Sequence, residues 1–148
     1  MRKPIAAANW KMNGDFALVE AFAKHAWPQG NVEKIFGLPA IYLAKAHEMG
    51  LAELAGEDVS AHASGAHTGE ISATMLKEAG ASYAIIGHSE RRTDHGEAET
   101  LLIEKWKQLK AQGLKVIYCI GESLQEYEAG QCDSALLRQL NPVLDAGL

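Results

Sequence analysis

Several features common in proteins are scarce in these 148 residues. Cysteine occurs twice, as Cys119 and Cys132, and the spacing fits no metal-binding pattern. We therefore expect both thiols to be reduced and structural, as in a cytoplasmic protein. No long hydrophobic run occurs, so we predict no signal peptide and no membrane-spanning helix. The lack of low-complexity sequence, together with 47% apolar residues, argues against disorder.

Positive charge is also scarce. The chain has 14 Lys and Arg against 19 Asp and Glu, which gives a formal net charge of −5 at pH 7. The sequence has no basic stripe and no aromatic residues interleaved with basic ones. We therefore expect no binding to nucleic acid or to an anionic membrane surface. An anionic small-molecule substrate would need positive charge concentrated at its site.

Length and hydrophobic patterning predict one α/β domain. A chain of this length can bury roughly two thirds of its unfolded surface, so we assign residues 1–148 to one domain with one core. Short apolar segments alternate with helical patterns, which predicts a parallel sheet with right-handed crossovers. The five strands are predicted at residues 5–9, 32–36, 59–61, 83–86 and 114–120.

Capping residues mark the predicted helices between these strands. Asp15, Ser72 and Ser123 are favourable N-cap residues, and Ser123 forms a capping box with Glu126. Gly80 is a typical left-handed residue after a helix. The helices are predicted at residues 16–27, 40–49, 73–79 and 97–112, after Ser123, and around 136–143, where Pro142 distorts the last one.

Polar residues follow directly after two of the predicted strands. After the fourth strand, residues 88–92 place a histidine, an acid and two arginines at the carboxyl end, where α/β proteins have their sites. The alternative is structural, with His88 merely hydrogen-bonded and Glu90 paired with an arginine. After the first strand, Lys11 is either a functional cation or a solvated loop lysine.

Four segments of the chain resemble successive signatures of the triosephosphate isomerase family, in the family's order and spacing. The segments are 8–13 (Ala-Asn-Trp-Lys-Met-Asn), 65–72 (Gly-Ala-His-Thr-Gly-Glu-Ile-Ser), 86–92 (Ile-Gly-His-Ser-Glu-Arg-Arg) and 119–123 (Cys-Ile-Gly-Glu-Ser). The resemblance runs along the whole chain but covers only the amino-terminal three fifths of the family pattern. It implies a (βα)5 portion of a TIM (β/α)8 barrel.

The resemblance also implies a reaction and roles for residues. The family interconverts glyceraldehyde 3-phosphate and dihydroxyacetone phosphate, in glycolysis and gluconeogenesis, through an enediolate and without metal or cofactor. By resemblance, His88 is the electrophile and acts as a neutral imidazole, as the family's catalytic histidine does. Lys11 is the cation near the substrate, and Asn9 is a neutral donor to a substrate oxygen. Glu90 holds Lys11 or transfers a proton.

The loop at residues 64–72 is implicated in assembly by the same resemblance. In the family this loop enters the neighbouring subunit of a homodimer, so Thr68 and Glu70 are interface residues, and Glu70 pairs with Arg91 across the contact. His62 and His67 lie five residues apart, but the sequence offers no third ligand at matching spacing, so we predict no metal site.

Part of the family pattern is missing from these residues. The family's catalytic base is a glutamate at the end of strand six, in an Ala-Tyr-Glu-Pro-Val-Trp type of motif, followed by a lid and two phosphate-binding loops. We therefore expect a truncated homologue that is inactive or very weak alone. Strands one and five would have free edges, which predicts that homo-oligomerisation covers them.

Two further functions stay open at this point. The chain could be an active isomerase that a partner chain completes, or a non-enzymatic scaffold that binds phosphosugars weakly or not at all. Two carboxylates also differ from or extend the family pattern. Glu57 stands where glutamine is usual, and Glu122 is predicted to fix the end of strand five by hydrogen bonds.

Overall fold

The computed structural model describes residues 2–148, and its five strands form one parallel sheet. The strands are β1 (Ile5–Asn9), β2 (Glu33–Leu38), β3 (Leu54–Gly56), β4 (Ala81–Ile86) and β5 (Lys115–Tyr118), and they lie side by side in chain order. Each strand pairs in parallel with the next. The sheet curls into half of a barrel, which confirms the predicted partial TIM (β/α)8 barrel.

Helices connect these strands and cover one face of the sheet. They are α1 (Phe16–Lys24), α2 (Ala40–Glu48), α3 (Ala73–Glu78), α4 (Ser89–His95), α5 (Glu99–Ala111), α6 (Leu124–Glu128) and α7 (Cys132–Asp145). None of the helices formed by residues 2–148 has the length and apolar character that a membrane crossing requires.

The two faces of the sheet differ in what they pack against, because successive side chains of a strand point to opposite sides. Leu54 and Ile86 belong to the main core between the sheet and the helices. Ile35, Tyr83 and Ile85 form a smaller cluster on the inner face. Complete burial of a side chain such as Leu54 or Ile86 contributes about 1.5–3 kcal/mol. The outer face therefore provides most of the hydrophobic stabilisation.

The predicted position of the third strand is wrong. The strand was predicted near residues 59–61, but β3 is the segment Leu54–Gly56. A Cβ atom added to Gly56 would lie 2.7 Å from the Leu76 side chain, so tight packing against α3 selects glycine there. Val59 is buried as well, but it lies in the loop after the strand.

The local end signals of the helices are confirmed. Asp15 accepts a hydrogen bond from the Leu18 N–H at 2.7 Å, and Ser123 with Glu126 makes both bonds of a capping box. Gly80 has φ +90°, and a Cβ atom there would lie 2.2 Å from the His47 ring. Strand ends are less accurate, because β2 reaches Leu38 and β5 ends at Tyr118.

The strands at the two ends of the sheet are its least covered parts. Four of the five residues of β1 are exposed, and Ile5 keeps 56% of its surface accessible. None of the β5 residues is fully buried. Along β4, at the centre, five of six residues are buried. The described residues thus form a sheet with a protected centre and two open edges.

Candidate active site

The carboxyl ends of β1, β3 and β4 meet around one cavity. Parallel strands all end at the same edge of a sheet, so residues from distant parts of the sequence come together there. The cavity has a volume of about 540 Å³. Its lining includes the four residues predicted for catalysis or substrate binding, together with Glu57: Asn9, Lys11, Glu57, His88 and Glu90.

Lys11 is held in this cavity by its backbone and by its ammonium group. Its φ is +55°, an uncommon left-handed conformation for a residue other than glycine. The Asn9 Oδ1 atom accepts a hydrogen bond from the Lys11 N–H at 2.9 Å. The ammonium Nζ lies 2.7 Å from Glu90 Oε1, and this bond holds the pKa of the Glu90 carboxyl below its usual value. Both side chains of the pair are about half exposed.

His88 joins β4 to α4 as the N-cap residue of that helix. Its Nδ1 atom accepts a hydrogen bond from the Glu90 N–H at 3.2 Å. A ring nitrogen that accepts a hydrogen bond carries no proton, so this bond favours the neutral tautomer with its proton on Nε2. Glu90 Oε2 lies 3.4 Å from the same Nδ1. The Nε2 proton is then the hydrogen-bond donor that His88 can offer to a ligand.

The two arginines after His88 are committed to other contacts. Arg92 donates from Nε to the Gly87 carbonyl at 2.7 Å and from Nη2 to the Cys119 carbonyl at 3.2 Å, so it ties the ends of β4 and β5 together. Arg91 Nη2 lies 3.0 Å from Asp58 Oδ2 and its Nε donates to Glu97 at 2.8 Å. Lys11, not an arginine, is the partner of Glu90.

Arg91 belongs to a network of four charges, in which Glu97 and Lys105 are buried and Arg91 and Asp58 are partly exposed. Lys105 Nζ lies 2.7 Å from Asp58 and 2.6 Å from Glu97, so two cations face two carboxylates. Burial acts to raise the pKa of Glu97, but the bonds from Lys105 and Arg91 outweigh it, and the pKa falls. The sequence analysis missed Asp58, Glu97 and Lys105, because ion pairs between residues 8 to 47 positions apart leave no local pattern.

The predicted interface residues lie together beside this network. Thr68, Glu70 and Arg91 line a second cavity of about 470 Å³. Within the chain, the guanidinium of Arg91 is bonded to Asp58 and Glu97. The pairing of Glu70 with Arg91 across a subunit contact stays a prediction. His62 and His67, in the loop before Thr68, stack with ring centroids 3.7 Å apart. Within residues 2–148, no three His, Cys, Asp or Glu side chains form a metal-binding group.

Glu57 also lines this cavity, a position that was not predicted from the sequence. It follows β3 directly and lines the same cavity as His88. Its Oε1 atom is buried and has no hydrogen-bond partner in the described part of the chain. Burial is the main cause that raises the pKa of the Glu57 carboxyl to about 7, with a smaller contribution from the Glu90 charge. The wrong strand at 59–61 placed Glu57 before a strand instead of after it, which hid this signal.

The end of β5 is fixed by a residue other than the one predicted. The Gln139 side chain accepts from the Gly121 N–H at 2.9 Å and donates to the Gly121 carbonyl at 2.8 Å. The backbone carbonyl of Gln139 also accepts a hydrogen bond from the Tyr118 hydroxyl at 2.8 Å. The prediction that Glu122 fixes this end is therefore wrong. Gln139 belongs to α7, and it reaches the end of β5 only because α7 packs against that part of the fold.

These observations define a class of protein. The curled parallel sheet is a portion of a (β/α)8 barrel. Its cavity, lined by a histidine, a lysine and carboxylates, lies at the edge where such barrels have their sites.

Comparison with known proteins identifies the family. The sequence model of a family described as triosephosphate isomerase matches residues 4–147, and the chain belongs to the triosephosphate isomerase family. A triosephosphate isomerase of Dichelobacter nodosus is 57% identical over 148 residues, which are 100% of this chain and 61% of that protein. One of Delftia acidovorans is 42% identical over 151 residues, with 97% of this chain and 61% of the relative covered.

A solved structure agrees with these relatives. The crystal structure of triosephosphate isomerase from Bartonella henselae superposes with a TM-score of 0.91 at 37% sequence identity. The match covers 96% of this chain and 62% of the other. The chain thus spans about 61% of the length of the curated relatives that it matches.

Proposed function

We propose that these 148 residues supply the electrophile and the cation of a triosephosphate isomerase site and hold a phosphorylated triose weakly. The reaction of the family interconverts glyceraldehyde 3-phosphate and dihydroxyacetone phosphate in glycolysis and gluconeogenesis. In this proposal the Nε2–H of His88 donates to the oxyanion that develops on the substrate, and Lys11 offsets its negative charge. Asn9 donates to a second substrate oxygen.

One observation carries this proposal. Lys11 and His88 lie 77 residues apart in the sequence, yet both contact Glu90. Lys11 Nζ lies 2.7 Å from Glu90 Oε1, and His88 Nδ1 accepts from the Glu90 N–H at 3.2 Å. This shared neighbour places the cation and the imidazole beside the same cavity. Charge stabilisation of an enediolate needs this juxtaposition, because donors contribute only where the charge develops.

We propose further that these residues alone have little or no isomerase activity. The family resemblance assigns the catalytic base to a strand that follows the five present here. A general base contributes about 10²- to 10⁴-fold, and misplacement by about 1 Å costs on the order of 10²-fold. Neither Glu57 nor Glu90 is expected to replace a base that approaches the substrate from another strand.

A ligand titration tests the binding part of the proposal. Two-dimensional NMR spectra, recorded while 2-phosphoglycolate is added, should show saturable shifts of the Lys11 and His88 amides. Lys11→Met should abolish these shifts, since it removes the cation. Lys107→Met is the matched control, because Lys107 pairs with Glu104 on the surface of α5 and should bind as the parent does. Equal binding by all three proteins would contradict the role of Lys11.

A second candidate function is an isomerase completed by a separate chain. The open edge of β1, with four exposed residues, favours it, because another strand could pair there. The test mixes the 148-residue polypeptide with the carboxy-terminal remainder of the Dichelobacter nodosus relative. This candidate predicts His88-dependent turnover of glyceraldehyde 3-phosphate in the mixture. Mixtures that remain inactive at saturating concentrations of both chains would rule it out.

The assembly and location of the chain complete the proposal. We propose a cytoplasmic protein that forms a homo-oligomer, with Thr68, Glu70 and Arg91 at the contact. The exposed loop that carries Thr68 and Glu70 supports this, as does the cavity that they share with Arg91. Light scattering coupled to size-exclusion chromatography tests it, and a monomer at all concentrations would contradict it.

A further inference from the structure

We propose that Glu57 is a proton-dependent positioning residue for Lys11. Neutral Glu57 leaves Lys11 bound to Asn9 and Glu90, and ionised Glu57 competes with Asn9 for the Lys11 amide. This inference rests on the proposed function, since Lys11 is the cation assigned there. It concerns a carboxyl group that has no role in the chemistry described above.

The geometry around Glu57 places it against the turn that carries Lys11. Glu57 lines the cavity of Asn9, Lys11 and His88, and it also lines the neighbouring cavity beneath Met12 and Tyr42. The backbone groups of Lys11 and Trp10 approach its carboxyl closely enough to favour the ionised form. Oε1 is nevertheless left without a hydrogen-bond partner in the described structure.

The backbone donors next to Glu57 are already in use. The Lys11 N–H donates to Asn9 Oδ1 at 2.9 Å, and the Trp10 N–H donates to the Gly37 carbonyl at 2.9 Å. A neutral Glu57 leaves these bonds undisturbed. An ionised carboxylate is a stronger acceptor, because hydrogen bonds to charged groups are roughly twice as strong as neutral ones. Ionisation therefore sets Glu57 in competition with Asn9 for the Lys11 amide.

Ionisation of Glu57 also changes the charge of the cavity. Lys11 and Glu90 cancel each other, so a second carboxylate gives their group a net charge of −1. Arg91 adds no free positive charge, because Asp58 and Glu97 pair with it. The other titratable groups that line this cavity are His88, Asp94 and His95. Asp58 and Glu70 line, together with Glu57, the cavity that Thr68 and Arg91 also line. An anionic substrate would then bind with Glu57 neutral.

The strain of the Lys11 backbone makes the turn responsive. A non-glycine residue at φ +55° is strained, so local contacts must hold it in place. Asn9 Oδ1 and Glu90 provide those contacts. Loss of the contact to Asn9 or to Glu90 should therefore change the backbone conformation of Lys11.

An NMR titration of the full chain tests the proposal without any substrate. In the parent protein, the Glu57 carboxyl carbon and the Lys11 and Trp10 amides should titrate together, with a midpoint near the pKa of about 7. Glu57→Gln is isosteric and uncharged, so it should abolish the titration of both amides. Glu104→Gln is the control, because Glu104 lies on the surface of α5 and pairs with Lys107.

Histidines also titrate near this pH, so a second variant separates them. The His88 ring lines the same cavity and can itself move the shifts of nearby amides. In His88→Gln, the Lys11 amide should keep its midpoint if Glu57 governs it. Loss of the titration in His88→Gln would overturn the proposal. So would a Glu57 carbon that titrates near 4.5, or a Lys11 amide that does not follow that carbon in the parent protein.

Failure of this inference and failure of the proposed function are distinguishable. A failed ligand titration with 2-phosphoglycolate would contradict that role while the Glu57 titration could still succeed. A failed Glu57 titration with intact ligand binding would overturn only the positioning role.

Discussion

β1 and β4 end in residues of the same site, but they differ in how the molecule holds them. β4 lies at the centre of the sheet, between β3 and β5, with five of six residues buried. β1 lies at an edge, pairs with β2 alone among the described strands, and has four of five residues exposed. His88 extends from the protected strand, and Lys11 extends from the exposed one.

The two halves of the candidate site therefore depend on different forces. The position of His88 follows from a buried strand and from the N-cap of α4. The position of Lys11 depends on polar contacts to Asn9 and Glu90 that are open to solvent. Local stability varies across a fold and is lowest where few apolar contacts are buried. The cation should therefore be the more easily perturbed half.

Loss of the ion network around Lys105 should destabilise the chain the most. Lys105→Met removes a cation that is buried between Asp58 and Glu97, and breaking such a pair costs about 3–5 kcal/mol. Lys11→Met breaks an exposed pair, so it should destabilise the chain much less. Urea unfolding of both variants checks the comparison. Equal destabilisation by the two changes would remove the distinction between centre and edge.

A slightly smaller effect is expected from shortening one isoleucine in each strand. Ile86 in β4 is completely buried, so Ile86→Ala should destabilise by about 2–5 kcal/mol. Ile5 in β1 is largely exposed, and Ile5→Ala should change the free energy of unfolding by less than about 1 kcal/mol. Thermal and urea unfolding measure both. A large cost at Ile5 would show that an assembled partner buries β1 in solution.

A third effect on stability is a pH dependence from Glu57. Its pKa is raised in the folded chain to about 7 from 4.5, so the folded state binds the extra proton between these values. Stability is then fully present below about pH 4.5 and declines as pH rises to about 7, because the unfolded state ionises first. The shift would correspond to roughly 3 kcal/mol, and partial exposure reduces it to about 1–2 kcal/mol.

Comparison of the parent with Glu57→Gln isolates this contribution. The variant should lack the decline between pH 4.5 and 7 and should be the more stable protein at pH 8, as urea unfolding at several pH values measures. The carboxyl of Glu126 does not interfere, because its pKa is lowered to about 2 by bonds from Ser123 and Arg138. Identical pH profiles for the two proteins would contradict a raised pKa at Glu57.

The sequence predicted those parts of the fold that local chemistry determines. The apolar runs of β1 and β4 and the caps at Asp15 and Ser123 depend on neighbouring residues, and the structure has all of them. The prediction of β3 was wrong because packing against a distant helix determines its residues, as the contact of Gly56 with Leu76 shows. A strand of three residues that includes alanine and glycine has no periodic hydrophobic pattern.

The site followed the same division. Motifs adjacent in sequence pointed to Lys11, His88 and Glu90, which share one cavity. The network of Arg91 with Lys105 and the contact of Gln139 with Gly121 depend on how helices pack, so no sequence spacing revealed them. Glu57 was misjudged for a related reason, because the error in β3 moved it away from the carboxyl edge.

The account depends most on the claim that these residues hold an electrophile and a cation but no working base. The direct test is turnover of glyceraldehyde 3-phosphate by the 148-residue polypeptide, purified from a host that lacks its own isomerase. We expect no conversion above the rate without protein, and no exchange of the substrate's carbon-bound hydrogen with deuterated solvent. Conversion that saturates with substrate and disappears in His88→Gln would contradict the account and would require a base among these residues.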